Sequence, residues 1–399
     1  MTTQTRTAAP PTAAFAAVVA IMVLFQAAAS APTPLYVVYQ RMWGFSSATL
    51  TLVFAIFVLV LLATLLVAGA LSDHVGRRPV LLAGITLEAV ALLLFLFAGG
   101  VSTLLAARAV QGVATGLILP TLGATVVDLN PPHRPRAATV VNGVVPVGGL
   151  AVGSIACGAL VQYGPDPTRL VWLLLLGTLV LAFVAVLALP ESSARRPGVA
   201  RSLVPRLGVP QRLRGDVVAL VPVIVASWAL GGLYLSLGPS AAAAVFGVTN
   251  HFLGGLVATL LCGTGAVAAF VFAVRRTAAG RASVTLLAVG TALTLVGVLT
   301  GEVATAIAGT VVAGVGYGAS GLATFGRMAG LPAQPAERGE LFAVGYTVAY
   351  LAFSLPALAA GFASTRIGLH TTVVAYAAVV IVVAVAAGRR RWWSGRSAA

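Results

Sequence analysis

Gly69-Ala-Leu-Ser-Asp73-His-Val-Gly76-Arg77-Arg78-Pro79 is a short charged turn between two runs of almost pure hydrocarbon. Leu50 to Val67 precede it and Val80 to Ala98 follow it. Each run is near the ~20 helical residues that a bilayer's hydrocarbon core requires. Two antiparallel spans joined by a polar hairpin are therefore expected. Gly69 and Gly76 permit close approach and a tight turn. Pro79 suits the first turn of the next helix, where its missing N–H has no bond to lose.

The rest of the chain repeats this pattern. Its 399 residues are 59% hydrophobic and 8% charged, with a mean hydropathy of +1.03. A soluble domain carries about 25% charge, so no aqueous core accommodates this composition and lipid must be its solvent. About twelve apolar runs are bounded by Gly, Pro or Arg. They fall near 13–38, 48–70, 79–98, 102–128, 137–162, 170–189, 217–245, 251–274, 282–300, 303–327, 341–363 and 370–388. Between the sixth and the seventh, Glu191 to Asp216 holds Pro, Gly and six arginines. The expected organisation is a six-helix half at 1–190, a cytoplasmic linker at 191–216, and a second six-helix half at 217–399 ending in a short basic tail. The linker's arginines would meet anionic lipid at the inner leaflet.

The net charge is +15, and all 24 basic residues are arginine. Twenty fall in predicted loops on the side of the termini; Arg41, Arg169 and Arg366 fall on the other, and Arg108 lies inside a helix. That asymmetry is the positive-inside pattern and sets both termini in the cytoplasm. Nucleic acid is excluded as a partner by the hydropathy. Cys157 and Cys262 sit inside apolar runs and read as packing. Arg6, the run Ala13 to Ala29 and Ala-Ser-Ala31 mimic a cleavable signal, but the polytopic remainder favours an uncleaved first helix. His74, His133, His251 and His370 are scattered, so no metal site is expected. No phosphate loop, serine elbow or carboxylate pair points to an enzyme.

The halves echo each other. Tyr39-Gln-Arg-Met-Trp-Gly44 and Ala242-Ala-Ala-Val-Phe-Gly247 both close an outer end, with glycines 203 residues apart. The same offset carries Asp73 to Arg276 and Arg78 to Arg281. Related halves with a site between them are a recurrent transporter architecture.

The spacing Gly-x-x-x-Asp-x-x-Gly-Arg-Arg, placed between the second and third runs, resembles the loop signature of the major facilitator superfamily. Arg108-Ala-Val-Gln111-Gly112 resembles the fourth-helix motif of that family, and Gly149 to Gly158 partly resembles its antiporter motif, with Ser154 in place of the proline and Cys157 in place of a glycine. The likeness is strongest to the bacterial twelve-helix drug/proton antiporter branch. It implies an all-α integral membrane fold with twelve spans in two pseudo-symmetric six-helix halves, in a bacterial inner membrane. It also implies a monomer that exchanges protons for a small-molecule substrate by alternating access, with no cofactor. A sugar or organic-acid exporter, or a proton-coupled importer, is the alternative on the same fold. An integral-membrane enzyme or a receptor without transport is the rival of another class.

Three sets of candidate residues follow. The resemblance implies a conformational latch of Gly69, Asp73, Gly76, Arg77, Arg78 and Asp128, holding the halves in the outward-open state. Asp73 would face the start of the eleventh helix, and Arg77 would pair with Asp128 at the inner end of the fourth. A charged turn that merely sets topology is the plainer alternative. For proton coupling the candidates are Glu88 and Arg108. Glu88 is the one acid near the middle of a predicted span, and Arg108 lies ~9 Å inside the outer boundary at 1.5 Å per residue. Such groups cost several kcal/mol unless paired or hydrated; a neutral acid bonded between helices and a snorkelling arginine are the alternatives. Polar and aromatic groups within spans form the third set, the substrate cavity: Gln26, Gln111, Asn142, Trp228, Tyr234, Tyr317, Tyr346 and Tyr350. The first helix offers Gln26 and no acid, which leaves neutral and anionic solutes as plausible as cations.

Overall fold

The computed structural model describes residues 11–205, 207–275, 280–331 and 335–389, without the side chains of 11, 201 and 335–338. Arg6, Arg206, Arg276, Arg390, Arg391 and Arg396, the side chains of Arg201 and Arg338, and most of the basic tail thus lie outside the described residues. All regular structure among the described residues is helical. In order, the membrane-length helices are Thr12–Trp43, Ser47–Ala68, Arg77–Leu96, Val101–Asp128, Ala137–Tyr163, Leu170–Ala188, Gln211–Ser236, His251–Arg275, Gly280–Thr300, Val303–Gly330, Gly339–Ile367 and Leu369–Arg389. They are called the first to twelfth spans below.

Two spans differ from the expected runs for a reason written in proline. The first continues past 38 to Trp43 but is broken into Pro11–Ser30 and Pro32–Trp43. Pro32 has no N–H to offer the carbonyl of Ala28, and its ring opens a new helix at its first turn. The seventh ends at Ser236, and a separate helix, Gly238–Phe246, starts with Pro239. Gly44 and Gly247 stop the two far-side helices in the same left-handed cap, at φ 64° and 66°. The offset of 203 residues therefore joins structurally equivalent positions.

One buried cluster runs through the first half from Ala14 to Leu189 and takes in Leu233, Leu237 and Ala360 of the second, while other clusters centre on the second half. Between halves, the fifth span lies on the eighth and the second on the eleventh. Glycine makes the first of these contacts possible. A Cβ on Gly255 would stand 2.6 Å from the Ser154 carbonyl oxygen, and one on Gly158 2.9 Å from that of His251. Bonds joining the halves gather at the end away from the termini: Ser154 Oγ to Gly255 O (3.0 Å), Thr33 Oγ1 to Leu235 O (3.0 Å), His251 N to Gln162 Oε1 (2.8 Å) and Ser240 Oγ to Gln40 Oε1 (3.2 Å). Toward the termini, residues 141–148 of the fifth span are half-exposed. The halves are bonded together at the far end and meet more loosely toward the termini, where a Cβ on Gly143 would still lie 3.2 Å from Leu322 Cδ1.

Candidate functional site

Four buried residues form a polar core in the first half. Gln111 donates from Nε2 to Glu88 Oε1 at 2.8 Å and accepts from Arg108 Nη1 at 2.7 Å. Arg108 also donates to Tyr36 Oη from Nε (2.9 Å) and Nη2, and to the carbonyl of Ala29 (3.0 Å). Glu88 and Gln111 are 0% exposed and Arg108 1%. The guanidinium carbon lies 4.8 Å from the ring centroid of Phe57, with the rings of Tyr36 and Phe95 at 5.6 and 5.9 Å. Cation–π attraction and hydrogen bonds replace the water this charge has lost. Arg108 is thus a buried residue and does not snorkel.

Local sequence explains the placement. Arg108, Gln111 and Thr115 share a helix face by the i, i+3, i+4 rule. Gly112 and Gly116 let the fourth span press against the second: a Cβ at Gly112 would fall 2.7 Å from the Phe57 carbonyl oxygen, and one at Gly116 2.5 Å from that of Leu61. Gln111 Nε2 also reaches the carbonyl of Ala28 at 3.2 Å, the acceptor that Pro32 cannot serve. The polar core therefore grips the break in the first span. Glu88 Oε2 and Thr115 Oγ1 are buried without a hydrogen-bond partner among the described residues.

Arg77 is the hub of the charged hairpin. Its Nη1 lies 2.6 Å from both Asp73 Oδ1 and Ser72 Oγ, and its Nε 3.2 Å from Asp128 Oδ2. Gly76, at φ 116°, starts the third span with two free N–H groups behind it. Glu191 caps them, accepting from Arg77 N at 2.8 Å and Arg78 N at 3.3 Å, where a carboxylate also suits the helix dipole. The segment after the sixth span stays docked: Ser192 Oγ donates to Asp128 Oδ2 (2.9 Å) and Arg196 N to Asp73 O (2.9 Å). The described bonds of the hairpin remain within the first half and this segment. The helix of the eleventh span, the expected partner of Asp73, begins at Pro335, and the side chains of its first turn, 335–338, lie outside the described residues.

The eight cavity candidates separate into three groups. Trp228, Tyr346 and Tyr350 do form one aromatic wall, half-buried on the seventh and eleventh spans; Trp228 meets Tyr350 edge-on at 5.1 Å and Tyr346 stacks on Tyr350 at 6.0 Å. Phe325 and Phe342, absent from the expected set, complete it. Gln26 and Asn142 brace helices, through Gln26 Nε2 to Pro146 O (2.7 Å) and Asn142 Nδ2 to Gly123 O (3.2 Å), while Asn142 Oδ1 is left without a partner among the described residues. Gln111, Tyr234 and Tyr317 are buried elsewhere: Gln111 in the polar core, Tyr234 bonded to Thr310 at 2.8 Å, and Tyr317 packed in the core of the second half. The polar and aromatic content of a span does not say which face it occupies, and these three face inward among helices. The spacing Phe342, Tyr346, Tyr350, Phe353 was a readable helical stripe. Tyr36 and Glu191 carried no such signal beyond the prolines beside them.

The sequence profile of the Major Facilitator Superfamily matches residues 16–300. This chain belongs to the major facilitator superfamily. The family is one of transporters, which are not enzymes. It is 36% identical over 115 residues to an uncharacterized MFS-type transporter of Mycobacterium tuberculosis, covering 29% of this chain and 20% of that protein. It is 31% identical over 172 residues to the multidrug resistance protein MdtL of Shewanella oneidensis, covering 40% of this chain and 41% of that protein. A third stretch of 96 residues is 36% identical to the Major facilitator superfamily multidrug transporter mfsB of Aspergillus fumigatus, covering 24% of this chain and 16% of that protein. The chain's matched segments span less than half the length of each of these relatives. The fold is that of the human organic anion transporter MFSD10 (TETRAN), with a TM-score of 0.70, 18% identity, and coverage of 95% of this chain and 100% of that one.

Proposed function

We propose that this protein exports small organic molecules from the cytoplasm of a bacterium, across its inner membrane, in exchange for protons. The observation that carries this reading is the buried chain Glu88–Gln111–Arg108 anchored on the broken first span. A carboxyl with one free oxygen has two states here. Protonated, Oε2 is a neutral donor; ionised, it attracts Arg108 across Gln111. The second state draws on the same nitrogens that hold Tyr36 and the carbonyl of Ala29. Gain or loss of one proton thus biases where the first span bends, and the first span lies on the fifth, at the seam between halves.

Substrate would enter from the loosely packed side and lie against the rings of Trp228, Phe325, Phe342, Tyr346 and Tyr350, whose faces suit ring-bearing, amphipathic solutes. The names of the MdtL and mfsB relatives support drug-like compounds. Tighter closure of that side would bring the Asp73–Arg77–Asp128 hairpin against the eleventh helix, which makes it the latch of the opposite state. With the termini cytoplasmic, the present arrangement is the inward-open one. The halves are taken as 1–190 and 217–399 around the linker, and one chain suffices for the site.

Inside-out vesicles energised by a respiratory substrate test the reading, with a pH-sensitive dye and a panel of drugs, sugars and organic acids. Proton release on adding one class of drug-like compound is expected. Release confined to sugars or simple organic acids would move the substrate to the alternative class, and proton uptake with the solute would make the protein an importer.

A further inference from the structure

The second half contains a cavity of about 190 Å³. It lies between the seventh, eighth, ninth, tenth and twelfth spans, near the end away from the termini. Its origin is legible residue by residue. At the 203-residue offset, Tyr39 corresponds to Ala242, Phe95 to Val298 and Glu88 to Thr291; aligning the starts of the fourth and tenth spans, Val101 and Val303, sets Arg108 opposite Thr310. All four counterparts line the cavity. In the first half this volume is filled by the charged core and by Phe95 stacked on Trp172 at 4.4 Å, with Trp172 Nε1 donating to Tyr39 Oη at 3.2 Å. At the four positions Tyr39, Glu88, Phe95 and Arg108 the second half carries a smaller side chain.

The geometry points to a hydrocarbon-binding site in this cavity, occupied by a phospholipid acyl chain from the leaflet away from the termini. Chemistry narrows the occupant. The polar side chains on the wall have already spent their hydroxyl hydrogens: Tyr234 and Thr310 bond each other, Thr291 donates to Leu287 O (2.7 Å) and Thr294 to Gly290 O (3.1 Å). No charged side chain lines the space. A charged solute, or one with several hydrogen-bond acceptors, would leave those groups unsatisfied there. The accessible rim is Leu253, Val303 and Ile307, 45%, 46% and 43% exposed. Leu253 on the eighth span and Val303 and Ile307 on the tenth put large aliphatic side chains on the outer surface of membrane-length helices, where acyl chains are the species expected at the highest local concentration. This site is separate from the aromatic wall and does not depend on what the protein transports.

The test is photolabelling of the full-length protein in liposomes with a phosphatidylcholine carrying a diazirine at the acyl terminus, read by peptide mass spectrometry. Adducts on 253–260 and 303–310 are expected, well above those at the lipid-facing Phe270 and Val289. The double variant Ala242→Tyr/Val298→Phe restores the first half's bulk and should cut the cavity adducts at least tenfold, with labelling of Phe270 and Val289 unchanged. If that variant does not elute as folded protein, Ile307→Trp at the rim should give the same loss. Cavity labelling equal to that at Phe270, or unaltered in the filled variant, overturns the proposal. So does displacement of the label by an added organic solute, which would assign the space to the solute.

Discussion

Glu88 and Arg108 do not touch; Gln111 stands between them, 2.8 Å from the one and 2.7 Å from the other. A glutamine offers one acceptor and two donors, and here the acceptor takes the arginine while the donors serve the acid and the carbonyl of Ala28. The bridge keeps the two side chains from pairing directly, which is the arrangement the proposed proton exchange at Glu88 requires.

Gln111→Leu removes the bridge but keeps the volume. It leaves a guanidinium N–H, a carboxyl oxygen and the Ala28 carbonyl without partners. Each unmet buried group costs about 1–3 kcal/mol, so the thermal unfolding midpoint in detergent should fall clearly, and transport with it. An unchanged midpoint would show that water already serves these groups.

Glu88→Gln is the contrasting case. The amide retains the shape and can still bond Gln111, so stability should change by less than about 1 kcal/mol, within the range of tolerated volume-conserving changes. Solute binding, measured by tryptophan quenching, should persist while its dependence on pH is lost.

The hairpin depends on a fork that lysine cannot copy. Arg77 reaches Asp73, Ser72 and Asp128 at once, and Arg77→Lys supplies a single point charge. Losing one charge-assisted bond, about 1.5–3 kcal/mol, should slow transport roughly tenfold or more at equal membrane abundance on an immunoblot.

Trp228→Ala takes one side from the aromatic wall. Ring pairs add about 0.5–1.5 kcal/mol beyond burial, so KM for ring-bearing solutes should rise by roughly two- to tenfold. Solutes without rings should be little affected, which initial-rate measurements across a panel would decide.

Most of the architecture is written in the hydropathy, because a bilayer forces each span to be long, helical and apolar. The hairpin was readable for a related reason: its charges cannot enter lipid, so their spacing survives undiluted between hydrocarbon runs. The site was less legible. Trp228, Tyr346 and Tyr350 came together as a wall, but Gln111 and Tyr234 turned away from it, because in a helix apolar on every side polarity alone gives no facing. Glu191 was read as the edge of a linker. Its role as a cap depends on how the segment after the sixth span folds back, a long-range fact absent from local pattern. The break at Pro32 was in plain view, but only the structure shows that Gln111 takes over the carbonyl it orphans.

The most direct test of proton coupling through Glu88 uses purified protein in liposomes with an imposed pH gradient, following a labelled solute that the wild type moves. Wild type should drive the solute against its concentration gradient, toward the acidic compartment. Glu88→Gln should only equilibrate it, at the same rate with or without the gradient. Uphill movement by Glu88→Gln equal to that of the wild type would contradict the account.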